Sequence, residues 1–196
     1  MSINKARRLQ PGRTTPGRTL TTILGNPVAI PAPDQLTHLQ FRRFAGCPVC
    51  DLHLHSLARR HDEFAAASIQ EVVIFHSSAA ELLPFAADLP FAVVADPAKK
   101  LYAEFGVESA FRALFDPRSW IAIARGVWSS LVRTLRRKQP LPTMNPKGGR
   151  FGLPADFLIA PDGRIIASKY GSHAYDQWSV DEILAQAASG RSVRLA

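Results

Sequence analysis

The chemistry-bearing feature of this chain is a pair of cysteines three positions apart, Cys47 and Cys50, separated by Pro48 and Val49. They are the only two cysteines among the 196 residues. A scaffold of structural disulfides would need more cysteines at wider spacing, so that class of protein is excluded. A lone C-x-x-C close to a strand–helix pattern is typical of a redox-active pair.

The surrounding residues give the first cysteine a physical reason to be a nucleophile. Cys47 follows a strand-like run and Gly46, at the point where a helix is expected to begin. A helix N-terminus lowers a thiol pKa because its unpaired N–H groups favour negative charge. Pro48 fits the first helical turn, where its missing N–H costs nothing. Helical residues three apart bring their β-carbons to about 5–6 Å, so a Cys47–Cys50 disulfide is within reach. We expect Cys47 to be the exposed attacking thiol and Cys50 to be the more buried resolving thiol.

Two other interpretations of the cysteines remain open at this stage. They could be inert core residues, or half of a structural zinc site completed by His53, His55 or His76. His53 and His55 are two apart on a predicted helix and cannot share a face, so packing or solvation is favoured for them over metal ligation. No metal and no other cofactor is therefore expected. Arg42 and Arg43 both precede the motif closely, and either could hold a thiolate or an anionic substrate group; a strand arginine is as often simply solvated.

The apolar patterning predicts alternating strands and helices. Strands are expected over residues 36–44, 72–75, 91–95 and 156–159, and an Asp162-Gly163 turn leads to an antiparallel partner over 164–168. The first of these strands alternates imperfectly, so it is predicted to be buried on both faces. Helices are expected over 47–67, 79–87, 97–105 and 179–188, and a short hairpin over 21–30. This order implies an α/β layer architecture with right-handed crossovers.

The charge distribution marks two segments that differ from the rest. The net charge is +8 at pH 7, but residues 1–33 and 117–150 contain many bases and no acid. Residues 1–20 are predicted to be a flexible basic arm, and residues 21–196 a single domain. Within that domain, residues 110–150 are predicted to be an insertion with a basic amphipathic helix over 120–138. No zinc finger or RNA-binding motif accompanies the bases, so nucleic acid is not an expected partner.

Three motifs in order resemble the peroxiredoxin-like AhpC/TSA antioxidant group of the thioredoxin superfamily. They are residues 41–50 with the two cysteines, Asp96-Pro97 followed by 102–107, and Gly152-Leu153-Pro154 before the strand at 156–159. The resemblance covers about residues 36–188. It implies a thioredoxin-like mixed sheet flanked by helices, to which the basic insertion is an addition. It also implies that Pro154, preceded by Leu153, is a cis proline packed beside the cysteines.

Two departures from that family pattern affect the expected activity. Ordinary peroxiredoxins have Thr or Ser three residues before the peroxide-attacking cysteine, and this chain has Phe44 there. They also have an arginine just before the late strand, and this chain has Pro154 there. Both differences favour dithiol–disulfide chemistry over fast peroxide reduction.

The expected function is therefore that of a thiol-dependent oxidoreductase, acting by disulfide exchange or peroxide reduction through a Cys47–Cys50 disulfide. Its partners would be a peroxide or disulfide substrate and a thiol reductant, either thioredoxin-like or of low molecular weight. The alternative is a redox-sensing binding module whose basic helix contacts an anionic membrane or an acidic partner. No secretory signal is recognised, and a reducing cytoplasm is the expected location.

Overall fold

The computed structural model describes residues 8–107, 124, 128, 149 and 152–192. In chain order its strands and helices are β1 (Arg18–Thr21), β2 (Pro27–Ile30), β3 (Leu36–Phe41), α1 (Pro48–Arg59), α2 (His61–Ala66), β4 (Ile69–Phe75), α3 (Ala79–Ala86), β5 (Ala92–Ala95), α4 (Lys100–Glu104), β6 (Ala155–Ile159), β7 (Ile165–Tyr170) and α5 (Val180–Ser192). No helix among these residues is long and apolar enough to cross a membrane.

Five of the strands form one mixed sheet in the order β5-β4-β3-β6-β7. β3 pairs in parallel with β4, and β4 in parallel with β5. β6 is antiparallel to β3, and β7 is antiparallel to β6. The predicted thioredoxin-like mixed sheet flanked by helices is confirmed. Because the carboxyl ends of β3 and β4 lie at the same edge, the cysteine motif and the residues after β4 meet there.

The central position of β3 explains its burial on both faces. All six of its residues are buried, as the imperfect alternation predicted. On one face, apolar residues of α1, α2, α3 and α5 pack on the sheet, among them Leu57, Phe64 and Ile183. On the other face, Tyr102 of α4 and Phe105 pack against Phe41 and its neighbours. The sheet is thus the middle layer of the fold, between two apolar clusters.

The helix starts follow local sequence signals. Ser78 caps α3 and forms a capping box with Glu81, in which each side chain accepts from the other residue's backbone N–H. Ser179 and Glu182 make the same exchange at α5. The single helix predicted over 47–67 is instead two helices, α1 and α2, separated at Arg60. The predicted boundaries of the other elements are correct to within a few residues.

The described part of the predicted flexible arm makes backbone hydrogen bonds with the β6–β7 region. Gly12 N–H donates to the Ile165 carbonyl at 2.9 Å, and Thr15 N–H donates to the Gly163 carbonyl at 2.9 Å. Gly163 has a positive φ of 84°, and a β-carbon there would lie 2.5 Å from the Thr15 oxygen. Residues 12 and 15 of the arm are therefore hydrogen-bonded to the β6–β7 turn and the start of β7. Apart from Ala124, Trp128 and Gly149, the predicted 110–150 insertion lies outside the described residues.

Candidate active site

The cysteine motif occupies the start of α1, as the sequence predicted. Gly46 takes the left-handed conformation, with φ of 71°, that turns the chain from β3 into the helix. Cys47 is the N-cap residue, and its Sγ accepts a hydrogen bond from the Cys50 backbone N–H at 3.4 Å. Pro48 is in the first turn, where no intrahelical partner for an N–H is needed. This arrangement gives the Cys47 sulfur a backbone donor.

The two thiols are equally inaccessible in the reduced protein. Both cysteines are free, and Cys47 is 2 % exposed while Cys50 is 5 % exposed. The expectation that Cys47 is exposed and Cys50 more buried is therefore wrong. The reason is that residues 44–50 contribute to the apolar cluster beneath the helices, which encloses both sulfurs.

Arg43 is the charged group that contacts both sulfurs. Its side chain is almost fully buried, and its guanidinium lies close enough to the Cys47 and Cys50 sulfurs for its charge to act on both. Burial opposes the charge of Arg43, but the adjacent sulfurs raise its pKa above the ordinary value. The Phe44 ring lies 5.9 Å from the guanidinium carbon, at the outer range of a cation–π contact. Phe44, which departs from the family pattern, thus supports the arginine that holds the thiols.

The two thiols share one proton. Burial raises the pKa of the Cys47 thiol well above its ordinary value, and its hydrogen bond with Cys50 raises it further. Burial also opposes ionisation of Cys50. There, however, the hydrogen bond from Cys47, the charge of Arg43 and the Arg43 backbone N–H lower the pKa of the thiol to about 5. The two thiols therefore titrate as a pair, in which the charge of Arg43 favours one thiolate and the sulfur–sulfur hydrogen bond opposes a second.

A buried polar network lies beneath the motif, on the face of β3 that carries His38 and Gln40, and it continues to Arg42 directly after the strand. His38 Nδ1 lies 2.9 Å from a Glu71 oxygen, and His38 Nε2 lies 3.3 Å from Asp156 Oδ1. Arg42 donates to Asp156 Oδ1 at 2.7 Å and to Gln40 Oε1 at 2.6 Å. All five side chains are buried. Arg42 and a protonated His38 therefore balance the charges of the two carboxylates.

This network reaches the cysteine helix through His53. Arg42 donates to His53 Nε2 at 3.1 Å, and His53 lies one turn after Cys50 on α1. Burial and then the charge of Arg42 lower the pKa of His53 well below its ordinary value, so its imidazole is neutral. The charge of Arg42 also contributes to the low pKa of Cys50. The packing interpretation of His53 fits these contacts, and the described residues contain no cluster of three or more potential metal ligands.

The network predicts that stability depends on pH. Burial opposes protonation of His38, but the charges and hydrogen bonds of Glu71 and Asp156 outweigh it and raise the pKa of His38 to about 9. A raised pKa in the folded state stabilises the fold fully below the unfolded value of 6.5. That stabilisation, on the order of 3 kcal/mol, is lost as pH rises through about 9. The low pKa of Cys50 acts in the opposite direction over the same range.

Urea unfolding of reduced wild type and His38→Gln at pH 6.5 and pH 9.5 separates the two effects. We expect the difference in unfolding free energy between the two proteins to shrink at the higher pH, because only the His38 contribution is removed by the substitution. His55→Gln, which changes a half-exposed histidine of α1, is the matched control and should show no such change. An equal difference at both pH values would contradict the assignment.

The peptide bond before Pro154 does not have the cis conformation that the family resemblance implies. Within the described residues the cis peptide bond is Ile30–Pro31, so the Leu153–Pro154 bond is trans and the cis expectation is wrong. Leu153 and Pro154 are both buried at the start of β6. Pro154 packs on the end of β7, where a β-carbon added to Gly171 would lie 2.7 Å from its Cγ. The residue of this loop that adjoins the redox arginine is Gly152, where an added β-carbon would lie 3.3 Å from Arg43 Cγ.

Arg43 and the cysteines could be found from the sequence, but most of the buried network was missed. The available signal was the alternation of polar residues at 38, 40 and 42 in a strand predicted to be buried on both faces. Their partners are register neighbours on adjacent strands, since His38 pairs with Glu71 and Gln40 with Asp156. That pairing requires knowledge of the sheet order.

Comparison with known proteins identifies related sequences and structures. The sequence model of the AhpC/TSA antioxidant enzyme family matches residues 56–173, a segment that begins after the cysteine motif. No curated protein sequence matches the chain.

Among solved structures, the peroxidoxin BcpB from Mycobacterium tuberculosis is 16 % identical. The match covers 95 % of this chain and 99 % of that protein, with a TM-score of 0.63. A variant of peroxiredoxin 6 from Arenicola marina is 14 % identical, with coverage of 95 % and 75 % and a TM-score of 0.67. A yeast mitochondrial 1-Cys peroxiredoxin is 12 % identical, with coverage of 95 % and 78 % and a TM-score of 0.64. At these identities the likeness establishes the thioredoxin-like fold.

Proposed function

Because the chain belongs to the AhpC/TSA antioxidant enzyme family, we propose that it reduces peroxides with the Cys47–Cys50 dithiol and is regenerated by an external thiol. The family makes it a thiol-dependent peroxidase or oxidoreductase. What supports assigning the chemistry to these two residues is the contact of Arg43 with both sulfurs. That contact keeps a thiolate available at neutral pH in a site that would otherwise hold two neutral thiols.

The reaction begins with proton transfer between the sulfurs. Moving the shared proton onto Cys50 leaves the Cys47 thiolate supported by the Cys50 backbone N–H and by the charge of Arg43. The Cys47 sulfur lies at the helix N-cap and accepts the Cys50 backbone N–H, and such a donor favours the ionised form of a thiol. We therefore assign attack on the peroxide to Cys47 and resolution to Cys50.

Peroxide reduction then takes two electrons from the Cys47 sulfur. This sulfur bonds to the terminal peroxide oxygen, the O–O bond breaks, and the released oxyanion takes a proton from water. Cys47 is thereby oxidised to a sulfenic acid and the peroxide is reduced to an alcohol or water. The Cys50 sulfur next displaces water from the sulfenic acid, which gives the Cys47–Cys50 disulfide. Two electrons from a thiol reductant reopen the disulfide.

The regenerating thiol is proposed to be thioredoxin-like or of low molecular weight. The yeast mitochondrial 1-Cys peroxiredoxin resolves its thiol via glutathione and thioredoxin systems. That likeness supports the same class of reductant for this chain. A reducing compartment such as the cytoplasm would supply it.

Parallel single-turnover reactions test this function against disulfide exchange. Reduced protein is mixed anaerobically with hydrogen peroxide or with a small disulfide, and the loss of thiols is followed. We expect the peroxide reaction to be the faster of the two at equal concentration. A reaction with the disulfide alone would overturn the peroxidase proposal while leaving the dithiol intact.

A further inference from the structure

A histidine that the redox steps above do not use lies at the same edge of the sheet as the thiols. His76 is the first residue after β4, and its backbone N–H donates to the Arg43 carbonyl at 3.2 Å. The next residue, Ser77, accepts a hydrogen bond at its Oγ from the Ala45 backbone N–H at 3.0 Å. These contacts fix the backbone of His76 directly beside the segment that leads into Cys47.

The imidazole of His76 is buried without hydrogen bonds from the described residues. The residue is 3 % exposed, and neither ring nitrogen has a partner among them. An unpaired buried polar atom is destabilising, and each such group in a folded protein calls for an explanation, such as a catalytic role or a bound water. The ring is held on one side by the edge of Tyr102, with a centroid separation of 5.8 Å.

Arg43 connects this histidine to the thiols. The position of a β-carbon at Gly152 lies 3.5 Å from His76 Nε2 and 3.3 Å from Arg43 Cγ, so the backbone of Gly152 fits between them. The other end of the same arginine contacts both sulfurs. Arg43 is therefore near both the His76 ring and the redox pair, and its charge acts on both. Because residue 152 is glycine, no side chain occupies the space beside His76 Nε2.

We propose that His76 Nε2–H hydrogen-bonds the leaving oxygen of the peroxide while Arg43 supports the attacking sulfur. These two residues take the place of the Thr or Ser before the cysteine, and of the arginine before β6, that ordinary peroxiredoxins have and this chain lacks. This rests on the proposed peroxidase function. As the Cys47–oxygen bond forms and the O–O bond breaks, negative charge develops on the leaving oxygen. His76 stabilises that charge, and water supplies the proton that completes the alcohol.

The protonation state of His76 suits this role. Burial, followed by the charges of Lys99 and Arg43, lowers the pKa of His76 to about 4, so its imidazole is neutral at pH 7. A neutral imidazole carries one N–H donor and one acceptor nitrogen. It can therefore donate to the developing oxyanion through one ring nitrogen while the buried ring itself stays uncharged.

The test compares His76→Leu and His76→Gln with wild type, using hydrogen peroxide and a small disulfide as alternative substrates. We expect His76→Leu to lower the rate of thiol oxidation by peroxide roughly tenfold or more, with the disulfide reaction and the thiolate titration unchanged. His76→Gln keeps a donor and should recover part of the rate. His173→Gln, in the loop between β7 and α5, serves as the control.

Two results would overturn the role of His76. One is a peroxide rate in His76→Leu within twofold of wild type. The other is an equal loss of the peroxide and disulfide reactions, which would indicate a structural effect. If His76→Leu does not fold, as judged by circular dichroism, a His76→Gln rate equal to that of His76→Ala would overturn it as well. If the wild-type protein does not react with peroxide, the proposed function itself is refuted.

Discussion

Replacing Cys47 with serine is expected to abolish peroxide turnover, with a loss of at least about a thousandfold. Serine keeps the size and the N-cap hydrogen bond of Cys47 but has no accessible anionic state near neutral pH. No sulfenic acid can then form at position 47, and no disulfide can close. Steady-state peroxide consumption in the presence of a dithiol reductant measures the loss.

Cys50→Ser is the matched control for that substitution, because it removes the other sulfur from the same helix turn. It is expected to retain a single oxidation by peroxide, because Arg43 still supports the Cys47 thiolate. The resulting sulfenic acid has no resolving thiol and should persist, so that a sulfenic-acid-specific reagent labels Cys47. If Cys47→Ser instead accumulated a labelled sulfenic acid at Cys50, the two roles would be reversed.

Replacing Arg43 with glutamine is the second substitution for which a large effect is expected. The change removes the charge that opposes the burial of the thiolate, while glutamine keeps a hydrogen-bond donor. The thiolate titration, followed by ultraviolet absorbance, should move upward from a pKa of about 5. The rate of thiol oxidation at pH 7 should then fall roughly tenfold or more.

Arg59→Gln provides the control for Arg43, because it removes an exposed arginine from the far end of α1. Its thiolate titration and its oxidation rate should match those of wild type. The result that would refute the role of Arg43 is a titration in Arg43→Gln that is unchanged. A rate loss in both variants would point to net charge and not to the contact with the sulfurs.

The local features of the site could be read from the sequence. The three-residue spacing of Cys47 and Cys50, the turn at Gly46 and the proline after Cys47 together predicted a redox pair at a strand–helix junction, and the structure places them there. The capping boxes of α3 and α5 were equally local. Such features depend on a few neighbouring residues, whose conformational preferences differ enough to decide the local structure.

The predictions that failed all depend on tertiary packing. The relative exposure of Cys47 and Cys50 is set by the apolar cluster that encloses them, and spacing carries no information about it. The trans bond before Pro154 contradicts an expectation based on family resemblance alone. The network around Asp156 joins side chains from three strands, so it becomes visible only when the sheet order is known.

Whether the dithiol itself reduces peroxide is decided by a peptide map of the protein after reaction with one equivalent of hydrogen peroxide under anaerobic conditions. We predict that two thiols are lost per peroxide and that a single disulfide joins Cys47 to Cys50, within one peptide that a reductant restores. Loss of peroxide with both cysteines still free would contradict this function, because the reaction would then proceed without the dithiol.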